Sequence, residues 1–259
     1  MAYMYEEFKK DVYALTDINL DMYKERQMKR RIEALISRKG FSGYKDFYEG
    51  MKQDDSLLRT FVSYLTINVS QFYRNPNQWE IFEKDIIPYL RGKYGDKLTI
   101  WSAACSTGDE PYTIAMILSK YIPLSNVRII ATDIDEDVIA FAKEGIYSKK
   151  SLEDLPKEYL EKHFKQVDNS HYAISDTIKK SVEFNKHNLL KDKFFSNINM
   201  IVCRNVVIYF TDEAKEEIYK KFHDSLSTDG ILFIGSTEQI LRARELGFLS
   251  NKTFFYKKI

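Results

Sequence analysis

The second half of the sequence constrains the fold most, because strand-like and helix-like segments alternate along it. Five strand-like segments lie at residues 98–103, 127–133, 182–188, 200–204 and 230–236, and each has the length of a strand. Helix-like segments follow three of them, at residues 110–121, 136–145 and 212–225. Strands that alternate with helices predict an α/β fold with a parallel, doubly wound, Rossmann-like sheet. A last short apolar run at residues 254–258 predicts an antiparallel edge.

The segment that precedes this pattern predicts a different kind of domain. Apolar residues recur at helical spacing throughout residues 1–65, so we expect an all-α N-terminal domain. Asp21 is placed to cap its second helix and Gly40 to end it. Polar residues and a proline then predict a linker at residues 66–77, which leads into the α/β domain at residues 78–259.

One stretch of the α/β domain is too long to be a simple connection. Residues 148–180 separate the second predicted helix of the sheet from the third strand. Within this stretch, residues 155–164 predict a short helix and residues 171–175 predict one arm of a hairpin. We therefore expect a small inserted β-subdomain at about residues 148–180.

Composition excludes several classes of protein. A formal net charge of +1 argues against binding of nucleic acid through the overall charge. The N-terminal residues do not form a signal peptide, and no apolar run approaches the ~20 residues that a membrane span needs. The two cysteines exclude a disulfide framework and indicate a reducing, cytoplasmic location. The four histidines lack ligand spacing, so no metal site is expected.

The loop after the first strand indicates the kind of ligand. Ligands of open parallel sheets lie beyond the carboxyl ends of the strands, and residues 102–108 at this point are small. Asp109 and Glu110 follow in the first turn of a helix, where their carboxylates would repel a pyrophosphate and attract a cation. The loop therefore favours a positively charged adenosine cofactor over NAD. The alternative is that both acids only cap the helix.

The ends of the second and third strands also carry polar residues. Asp133 ends the second strand, where an acidic residue accepts hydrogen bonds from ribose hydroxyls. Its alternative role is a helix cap, but Asp135 and Asp137 are better placed to cap and start the next helix. Asn188 and Leu189 follow the third strand and could flank a base with one amide and one apolar contact.

The end of the fourth strand and the linker complete the candidate site. Arg204, Asn205 and Tyr209 interrupt an apolar run and indicate a cleft. The alternatives are that Arg204 pairs with a carboxylate and that Tyr209 is packed aromatic surface.

In the linker, Asn68, Ser70 and Arg74 are polar residues between two domains, where clefts form. Polar linker residues that have no specific role are the alternative.

Residues 24–39 form a basic stripe. Seven basic residues stand against two acidic residues, a net charge of +5. A solvated helix face is the simplest interpretation, and nucleic-acid binding would call for interleaved aromatic residues that the stripe lacks. Docking on an acidic protein surface, with Lys29, Arg30 and Arg31 at its centre, is the third interpretation.

Five segments resemble the chemotaxis receptor methyltransferases of the CheR family. They are TINVSQFYR, IWSAACSTGDEPYTIA, ATDID, HNLL and IVCRNVVIYF, in this order. The resemblance covers nearly the whole chain. WSAACSTGDEPY and CRNVVIYF are the most specific segments, because ordinary methyltransferases keep a glycine-rich first motif that this family lacks.

The resemblance implies a cofactor, a reaction and a partner. The reaction is methylation of glutamate side chains of methyl-accepting chemotaxis receptors by S-adenosylmethionine, which gives glutamyl methyl esters and S-adenosylhomocysteine and serves chemotactic adaptation. The residues matching Arg74 and Tyr209 lie nearest the transferred methyl group. The residues implied in cofactor binding are Asn68, Ser70, Arg74, Glu110, Asp133, Asn188, Leu189, Arg204 and Asn205.

The sequence departs from the family pattern in the inserted subdomain. Some members bind a peptide at the receptor tail through a glycine-containing loop, whereas residues 164–180 are short and contain no glycine. Tail tethering is therefore not expected, and the basic stripe becomes the expected docking element for the cytoplasmic helical region of the receptors. A methyltransferase for RNA or a small carboxylic acid, and a non-catalytic cofactor sensor, are the alternatives.

Overall fold

The computed structural model describes residues 3–259, which form two compact units. Residues 1 and 2 of the predicted N-terminal domain lie outside the described residues. The first unit contains residues 3–68 together with Tyr209–Lys215. It is all-helical up to residue 68, with α1 (Tyr5–Thr16), a 3₁₀ turn (Leu20–Met22), α2 (Glu25–Arg38), α3 (Tyr44–Gln53) and α4 (Asp55–Thr66).

The core of the first unit explains its helices. Phe8, Phe47 and Phe61 are fully buried and meet edge-on or tilted, with ring centroids 5.7–6.5 Å apart. They come from α1, α3 and α4, and each holds its helix against the others through apolar burial.

The predicted cap of α2 is wrong. Lys24 occupies the N-cap, and Asp21 lies in the preceding 3₁₀ turn, where it accepts a hydrogen bond from the buried Lys9 ammonium at 2.5 Å. The buried cation draws Asp21 away from the helix start because it needs a counterion. Gly40 does follow the end of α2, with a left-handed φ of 78°, as predicted.

The second unit contains Val69–Ile208 and Glu216–Ile259 and is built on a seven-stranded sheet in the order β6-β2-β1-β7-β8-β10-β9. The strands are β1 (Leu98–Ala103), β2 (Val127–Asp133), β6 (Val182–Lys186), β7 (Ile198–Cys203), β8 (Leu226–Ile234), β9 (Phe248–Lys252) and β10 (Phe255–Lys258). The first five in sheet order run parallel, and β10 is antiparallel to both of its neighbours. The doubly wound sheet and its antiparallel edge are confirmed.

Helices precede β1 and connect several of the later strands. They are α5 (Pro76–Ile81), a π-helical turn (Phe82–Ile86), α6 (Ile87–Tyr94), α7 (Asp109–Leu118), α8 (Glu136–Glu144) and α11 (Asp212–Ser225), with 3₁₀ turns at Leu124–Asn126 and Val207–Tyr209. The helix predicted from residue 78 thus begins earlier and continues to Tyr94 with a π-helical turn just before Pro88, which lacks the N–H for a regular helical bond.

A second, three-stranded sheet begins at Ile146, just before the predicted insertion at about residues 148–180, and its other two strands lie within that stretch. Its order is β3-β5-β4, and both pairings are antiparallel. The strands are β3 (Ile146–Ser148), β4 (Phe164–Gln166) and β5 (His171–Ile174), accompanied by a 3₁₀ turn (Lys149–Leu152), α9 (Lys157–His163) and α10 (Asp176–Lys179). The short helix and the hairpin are confirmed, whereas the sequence pattern missed β3 and, in the large sheet, β9.

Strand order fixes the place for a ligand. β1 pairs with β2 on one side and β7 on the other, so the chain changes direction across the sheet at β1. The carboxyl ends of β6, β2, β1 and β7 meet at one edge of the sheet, beside this switch point. We call this edge, with the segments that follow these four strands, the carboxyl edge.

Candidate active site

The loop after β1 holds a strained backbone without the usual glycines. Ala104 and Ser106 have left-handed φ values of 61° and 49°. This conformation costs about 1–2 kcal/mol per non-glycine residue and is typical of ligand sites. The loop is held by two hydrogen bonds to β2, from the Cys105 N–H to the Thr132 carbonyl at 2.8 Å and from the Ser106 N–H to Asp133 Oδ2 at 2.8 Å.

Gly108 is the one position of this loop where glycine is required. Its φ is 86°, and an added Cβ would lie 2.7 Å from the Ala142 Cβ. Gly108 also occupies the N-cap of α7, so neither Asp109 nor Glu110 caps this helix. The capping alternative for the two acids is therefore wrong.

Glu110 points to the end of β1. Its Oε1 accepts a hydrogen bond from Ser102 Oγ at 2.8 Å, and its Oε2 lies 3.4 Å from Arg204 Nη1. The side chain is 14% exposed, and this burial raises the pKa of the carboxyl above its usual value, although Arg204 and Ser102 oppose the shift. Because the Arg204 contact is long, Oε2 keeps capacity to accept a hydrogen bond from a cationic ligand.

Asp109 has different hydrogen-bond partners from Glu110. Its carboxylate is buried and accepts a hydrogen bond from Thr107 Oγ1 at 2.5 Å. Burial raises its pKa, and the hydroxyls of Thr107 and Ser70 oppose the shift. Together with the half-buried Ser70, it lines a groove of about 340 Å³ beside β3 and α8.

Asp133 lies where the sequence predicts, at the end of β2. Oδ2 accepts the Ser106 N–H, and Oδ1 accepts the Asp135 N–H at 3.1 Å. Burial raises its pKa to about 6. Asp135 occupies the N-cap of α8 and accepts the Asp137 N–H at 2.9 Å, so the cap is not Asp133. Each oxygen of Asp133 therefore retains a lone pair for a hydroxyl donor.

Arg204 is a buried cation of the site, with a side chain that is 3% exposed. Its Nη2 donates to the Arg74 carbonyl at 2.7 Å, to Asn75 Oδ1 at 3.2 Å and to Gln78 Oε1 at 2.5 Å. The guanidinium also lies 5.0 Å from the Trp79 ring. The predicted alternative, a carboxylate partner, is present as Glu110. The Arg204 guanidinium thus joins the linker to Glu110, near the end of β1.

Asn205 is held by a residue that the sequence pattern did not single out. The Asn205 N–H donates to Glu238 Oε2 at 3.0 Å, the Val206 N–H to Oε1 at 3.1 Å and the Gly235 N–H to Oε2 at 2.6 Å. Asn205 has a φ of 62°, and Glu238 is buried. Such a role cannot be read from the sequence, because it depends on backbone donors of two separate segments.

Asn188 and Leu189 lie at the carboxyl edge after β6. The Asn188 N–H donates to Asp192 Oδ2 at 2.8 Å, and Asn188 Oδ1 accepts the Leu190 N–H at 2.9 Å, which closes a turn. Leu189 is buried. The neighbouring His187 N–H bonds to the Asp133 carbonyl at 2.8 Å, so this turn is fastened to the end of β2.

The linker is also strained. Tyr73 and Asn75, on either side of Arg74, have left-handed φ values of 56° and 62°. The half-buried Arg74 donates from Nη1 to the Val69 carbonyl at 3.0 Å. Positive φ is an outlier for a bulky residue such as Tyr73. The turn therefore presents Arg74 in a conformation that the surrounding residues must maintain.

Two predicted site residues belong to the first unit. Asn68 donates from Nδ2 to Ser63 Oγ at 3.3 Å and to Thr66 Oγ1 at 2.9 Å. Tyr209 ends a 3₁₀ turn, and its carbonyl accepts the Lys24 N–H at 2.9 Å. The second unit contains the other predicted cofactor residues, which are Ser70, Arg74, Glu110, Asp133, Asn188, Leu189, Arg204 and Asn205.

The three predicted docking cations on α2 differ from one another. Arg30 is exposed, whereas the half-buried Lys29 has its ammonium 5.2 Å from the centre of the Tyr5 ring. Arg31 donates from Nη2 to the Tyr64 carbonyl at 2.6 Å and lies 4.6 Å from the centre of the Tyr64 ring. Arg31 therefore fastens α2 to α4 and is not a freely presented cation. Arg26, one turn before Arg30, is exposed.

The donor set of the carboxyl edge suits a ligand with an ammonium group and ribose hydroxyls. Glu110 and Asp133 both offer carboxylate oxygens, and an anionic pyrophosphate would be repelled by them. In the part of the chain that the structure describes, His, Cys, Asp and Glu form no cluster of three that could hold a metal ion. Among residues 3–259, no helix has the length and apolar character to cross a bilayer.

Known proteins resemble the chain over most of its length. Residues 4–66 match the family described as "CheR methyltransferase, all-alpha domain", and residues 68–254 match "CheR methyltransferase, SAM binding domain". A "Chemotaxis protein methyltransferase" of Listeria monocytogenes is 41% identical over 93% of each chain. That of Listeria innocua is 40% identical over 93% of this chain and 92% of its own. A third, of Borreliella burgdorferi, is 33% identical over 96% of this chain and 92% of its own.

Proposed function

The chain belongs to the CheR methyltransferase family and carries its domain for S-adenosylmethionine, and on this premise we propose that it methylates receptor glutamates. The substrates are glutamate side chains of methyl-accepting chemotaxis receptors, and the products are glutamyl methyl esters and S-adenosylhomocysteine. The reaction serves chemotactic adaptation in the cytoplasm. The observation that carries this proposal is the pair of carboxylates at the carboxyl edge, the buried Asp133 and Glu110, whose side chain is only 14% exposed.

Different residues of the carboxyl edge bind different parts of the cofactor. Glu110 accepts hydrogen bonds from the ammonium group, because a buried carboxylate is a strong acceptor for a cation. Asp133 accepts them from the ribose hydroxyls. Asn188 and Leu189 flank the adenine, the amide through hydrogen bonds and the leucine through apolar contact.

The remaining cofactor residues support these contacts. Arg204 holds Glu110 and the linker in place, and Asn205 completes the end of β7. Asn68, Ser70 and Arg74 come from the linker and bind the amino-acid part of the cofactor.

The substrate glutamate needs no general base. A glutamate side chain has an ordinary pKa of about 4.3 and is ionised at neutral pH. When bound, S-adenosylmethionine supplies an electrophilic methyl group on a sulfonium. What the protein contributes is alignment of the attacking oxygen with that methyl group.

Arg74 and Tyr209 perform this alignment. The Arg74 guanidinium and the Tyr209 hydroxyl donate hydrogen bonds to the incoming carboxylate and orient it. A tight ion pair with Arg74 would also stabilise the ground state, so Arg74 acts mainly as a positioning group. Exclusion of water favours the reaction, because the opposite charges of carboxylate and sulfonium partly cancel in the transition state.

The exposed cations of α2 dock the receptor. Arg26 and Arg30 lie one turn apart and face solvent, and the methylation helices of the receptors are rich in acidic residues. Lys29 and Arg31 flank this face but are engaged by Tyr5 and Tyr64. Complementary charge raises the rate of encounter and selects acidic partners.

Tethering to a receptor tail is not part of the proposal. The turn between β4 and β5 is short and contains no glycine. Asp168 Oδ1 closes this turn by accepting the Ser170 N–H at 2.7 Å and the His171 N–H at 2.8 Å.

A labelling experiment tests the reaction. The protein is incubated with S-adenosylmethionine that carries a radioactive methyl group and with membranes that contain the receptors, and the labelled receptor is then treated with alkali. A glutamyl methyl ester releases the label as volatile methanol, whereas an N-methyl group keeps it. Receptors whose methylated glutamates are changed to alanine are the control. Label that survives alkali, or that enters the alanine receptors equally, contradicts the proposal.

A further inference from the structure

Gln78 is a buried residue of the site that the proposed reaction does not yet use. It lies in α5 and is 4% exposed. Its Oε1 accepts a hydrogen bond from Arg204 Nη2 at 2.5 Å, while its buried Nε2 has no partner in the described part of the chain. An unsatisfied buried donor is destabilising, and a leucine of similar size would avoid it. The acceptor oxygen of Gln78 is therefore the useful part of this side chain.

The same Arg204 Nη2 bonds to the turn that carries Arg74. It donates to the Arg74 carbonyl at 2.7 Å and to Asn75 Oδ1 at 3.2 Å. The Trp79 indole N–H donates to the same Arg74 carbonyl at 3.0 Å. Gln78 thus holds the Arg204 guanidinium, and the guanidinium holds the backbone turn that carries Arg74.

The turn needs such support because its backbone is strained. Tyr73 and Asn75 both have positive φ, a conformation that persists only where the surroundings enforce it. Arg74 lies between them. We propose that Gln78 is a positioning residue, which with Arg204 forms a clamp on residues 73–75 and so presents the Arg74 side chain to the reacting carboxylate.

The catalytic part of this inference rests on the proposed function, whereas the clamp itself does not. The two parts are therefore measured separately. The chain has two tryptophans, and both indole N–H groups are hydrogen-bonded, that of Trp79 to the Arg74 carbonyl and that of Trp101 to Thr132 Oγ1 at 2.9 Å. Their ¹⁵N-indole resonances in the full-length protein report on the clamp and on the sheet, respectively.

Four variants test the clamp. Gln78→Met removes the acceptor at similar volume, and Gln78→Glu keeps an acceptor and adds a charge opposite Arg204. Asn75→Gly removes one clamp contact while glycine adopts the positive φ freely, so this variant remains informative if Gln78→Met does not fold. Asn77→Ala changes the exposed neighbour of Gln78 and is the matched control.

In Gln78→Met, the indole N–H of Trp79 is expected to shift and to lose protection from exchange, while that of Trp101 stays unchanged. Asn75→Gly should show a smaller change of the same kind, and Gln78→Glu and Asn77→Ala should match the wild type. Unchanged Trp79 protection in both Gln78→Met and Asn75→Gly overturns the clamp, whatever the activity. So does an equal change at both tryptophans, because it would indicate general loosening.

Steady-state kinetics test the consequence for Arg74. Gln78→Met is expected to lower kcat at least about tenfold, roughly 1.4 kcal/mol of transition-state stabilisation, a larger factor than the accompanying rise in the Kd for S-adenosylhomocysteine, and Gln78→Glu should keep kcat near the wild-type value. An unchanged kcat together with altered Trp79 exchange overturns the positioning role. If the wild type transfers no methyl group to receptors, the proposed function fails, and the indole measurement still decides whether the clamp exists.

Discussion

Charge is used in opposite ways at the carboxyl edge and on the exposed face of α2. At the carboxyl edge, the Arg204 side chain is 3% exposed and Glu110 14% exposed, and each has specific hydrogen-bond partners. On α2, Arg26 and Arg30 face solvent. Buried charges must be paired and therefore fix geometry, whereas exposed charges are screened by salt and change affinity and encounter rate. The contrast indicates that chemistry belongs to the first region and partner recognition to the second.

The largest expected effect is a loss of stability when the enclosed Arg204–Glu110 pair is broken. An exposed arginine–glutamate pair gives the comparison. Arg204→Met leaves Glu110 as a buried charge without a counterion, which should cost about 3–5 kcal/mol of unfolding free energy. Arg128 pairs with Glu183 on the surface at 2.9 Å, with side chains more than half exposed, so Arg128→Met should cost about 0–1 kcal/mol.

Urea unfolding at pH 7.5 measures both variants, and isothermal titration calorimetry measures their affinity for S-adenosylhomocysteine. Arg204→Met should also weaken this affinity severely, because Glu110 and the linker lose their shared anchor. Equal stability of the two variants would remove the distinction between the regions.

The second effect separates chemistry from cofactor binding. Tyr209→Phe removes only a hydroxyl, so kcat should fall about tenfold or more, equivalent to about 1.4 kcal/mol, while the Kd for S-adenosylhomocysteine stays within about twofold. Stopped assays with labelled cofactor give kcat. Tyr219→Phe, at a buried tyrosine of α11 outside the proposed site, controls for the loss of a hydroxyl. An unchanged kcat in Tyr209→Phe removes this residue from the reaction.

The third effect is a pH dependence that arises from Asp133. Its pKa is raised to about 6 by burial, so between pH 4 and 6 the folded state binds more protons than the unfolded state, whose carboxyl has a pKa of about 3.9. The free energy of unfolding of the ligand-free protein should therefore fall as the pH rises through this window, by up to about 3 kcal/mol from this residue.

Cofactor affinity should change in the opposite direction, because ribose hydroxyls need the ionised carboxylate as acceptor. The Kd for S-adenosylhomocysteine is expected to rise as the pH falls below about 6. A comparison of the wild type with Asp133→Asn isolates the contribution of Asp133, since the other buried acids titrate equally in both proteins. If wild type and Asp133→Asn show the same pH profiles of stability and affinity, Asp133 does not titrate as described.

The smallest effect concerns the exposed face of α2. Arg30→Glu should raise the KM for receptor membranes by about three- to tenfold at low salt, and the change should fade near 0.5 M salt. Thermal stability should be unaffected. Arg31→Glu instead breaks the contact with the Tyr64 carbonyl, which should lower stability by about 1–3 kcal/mol. Should Arg30→Glu leave the KM unchanged at low salt, α2 is not the docking element.

Much of the fold follows from local pattern. The alternation of apolar strands and amphipathic helices predicts the doubly wound sheet because burial on both faces imposes that pattern on the sequence. Asp133 could be identified for a similar reason, since a polar residue at the end of a buried strand must face the edge of the sheet. β9 escaped prediction because it is a mostly exposed edge strand with a weak apolar pattern.

The site depends more on partners that are distant in sequence. Asp109 and Glu110 are adjacent and chemically alike, yet one bonds to Thr107 and the other to Ser102 and Arg204. The pattern of charges could not separate them.

The same limit explains two further outcomes. Arg31 looks like its neighbour Arg30 in the sequence, but Tyr64, 33 residues from Arg31, accepts a hydrogen bond from Arg31. Gln78 and Glu238 were missed because their importance lies in acceptors for a buried guanidinium and for three backbone N–H groups.

The central claim is that the carboxyl edge is built to hold a cation through Glu110. Titration calorimetry with two ligands tests it most directly: S-adenosylhomocysteine, which has an ammonium group, and 5′-methylthioadenosine, which keeps the adenosine and sulfur but lacks the amino-acid part. The wild type should prefer S-adenosylhomocysteine, and Glu110→Gln should reduce this preference by about 10- to 100-fold, or about 1.5–3 kcal/mol. Glu183→Gln, at an exposed glutamate of β6, should leave it intact. A preference that Glu110→Gln does not change would contradict the account.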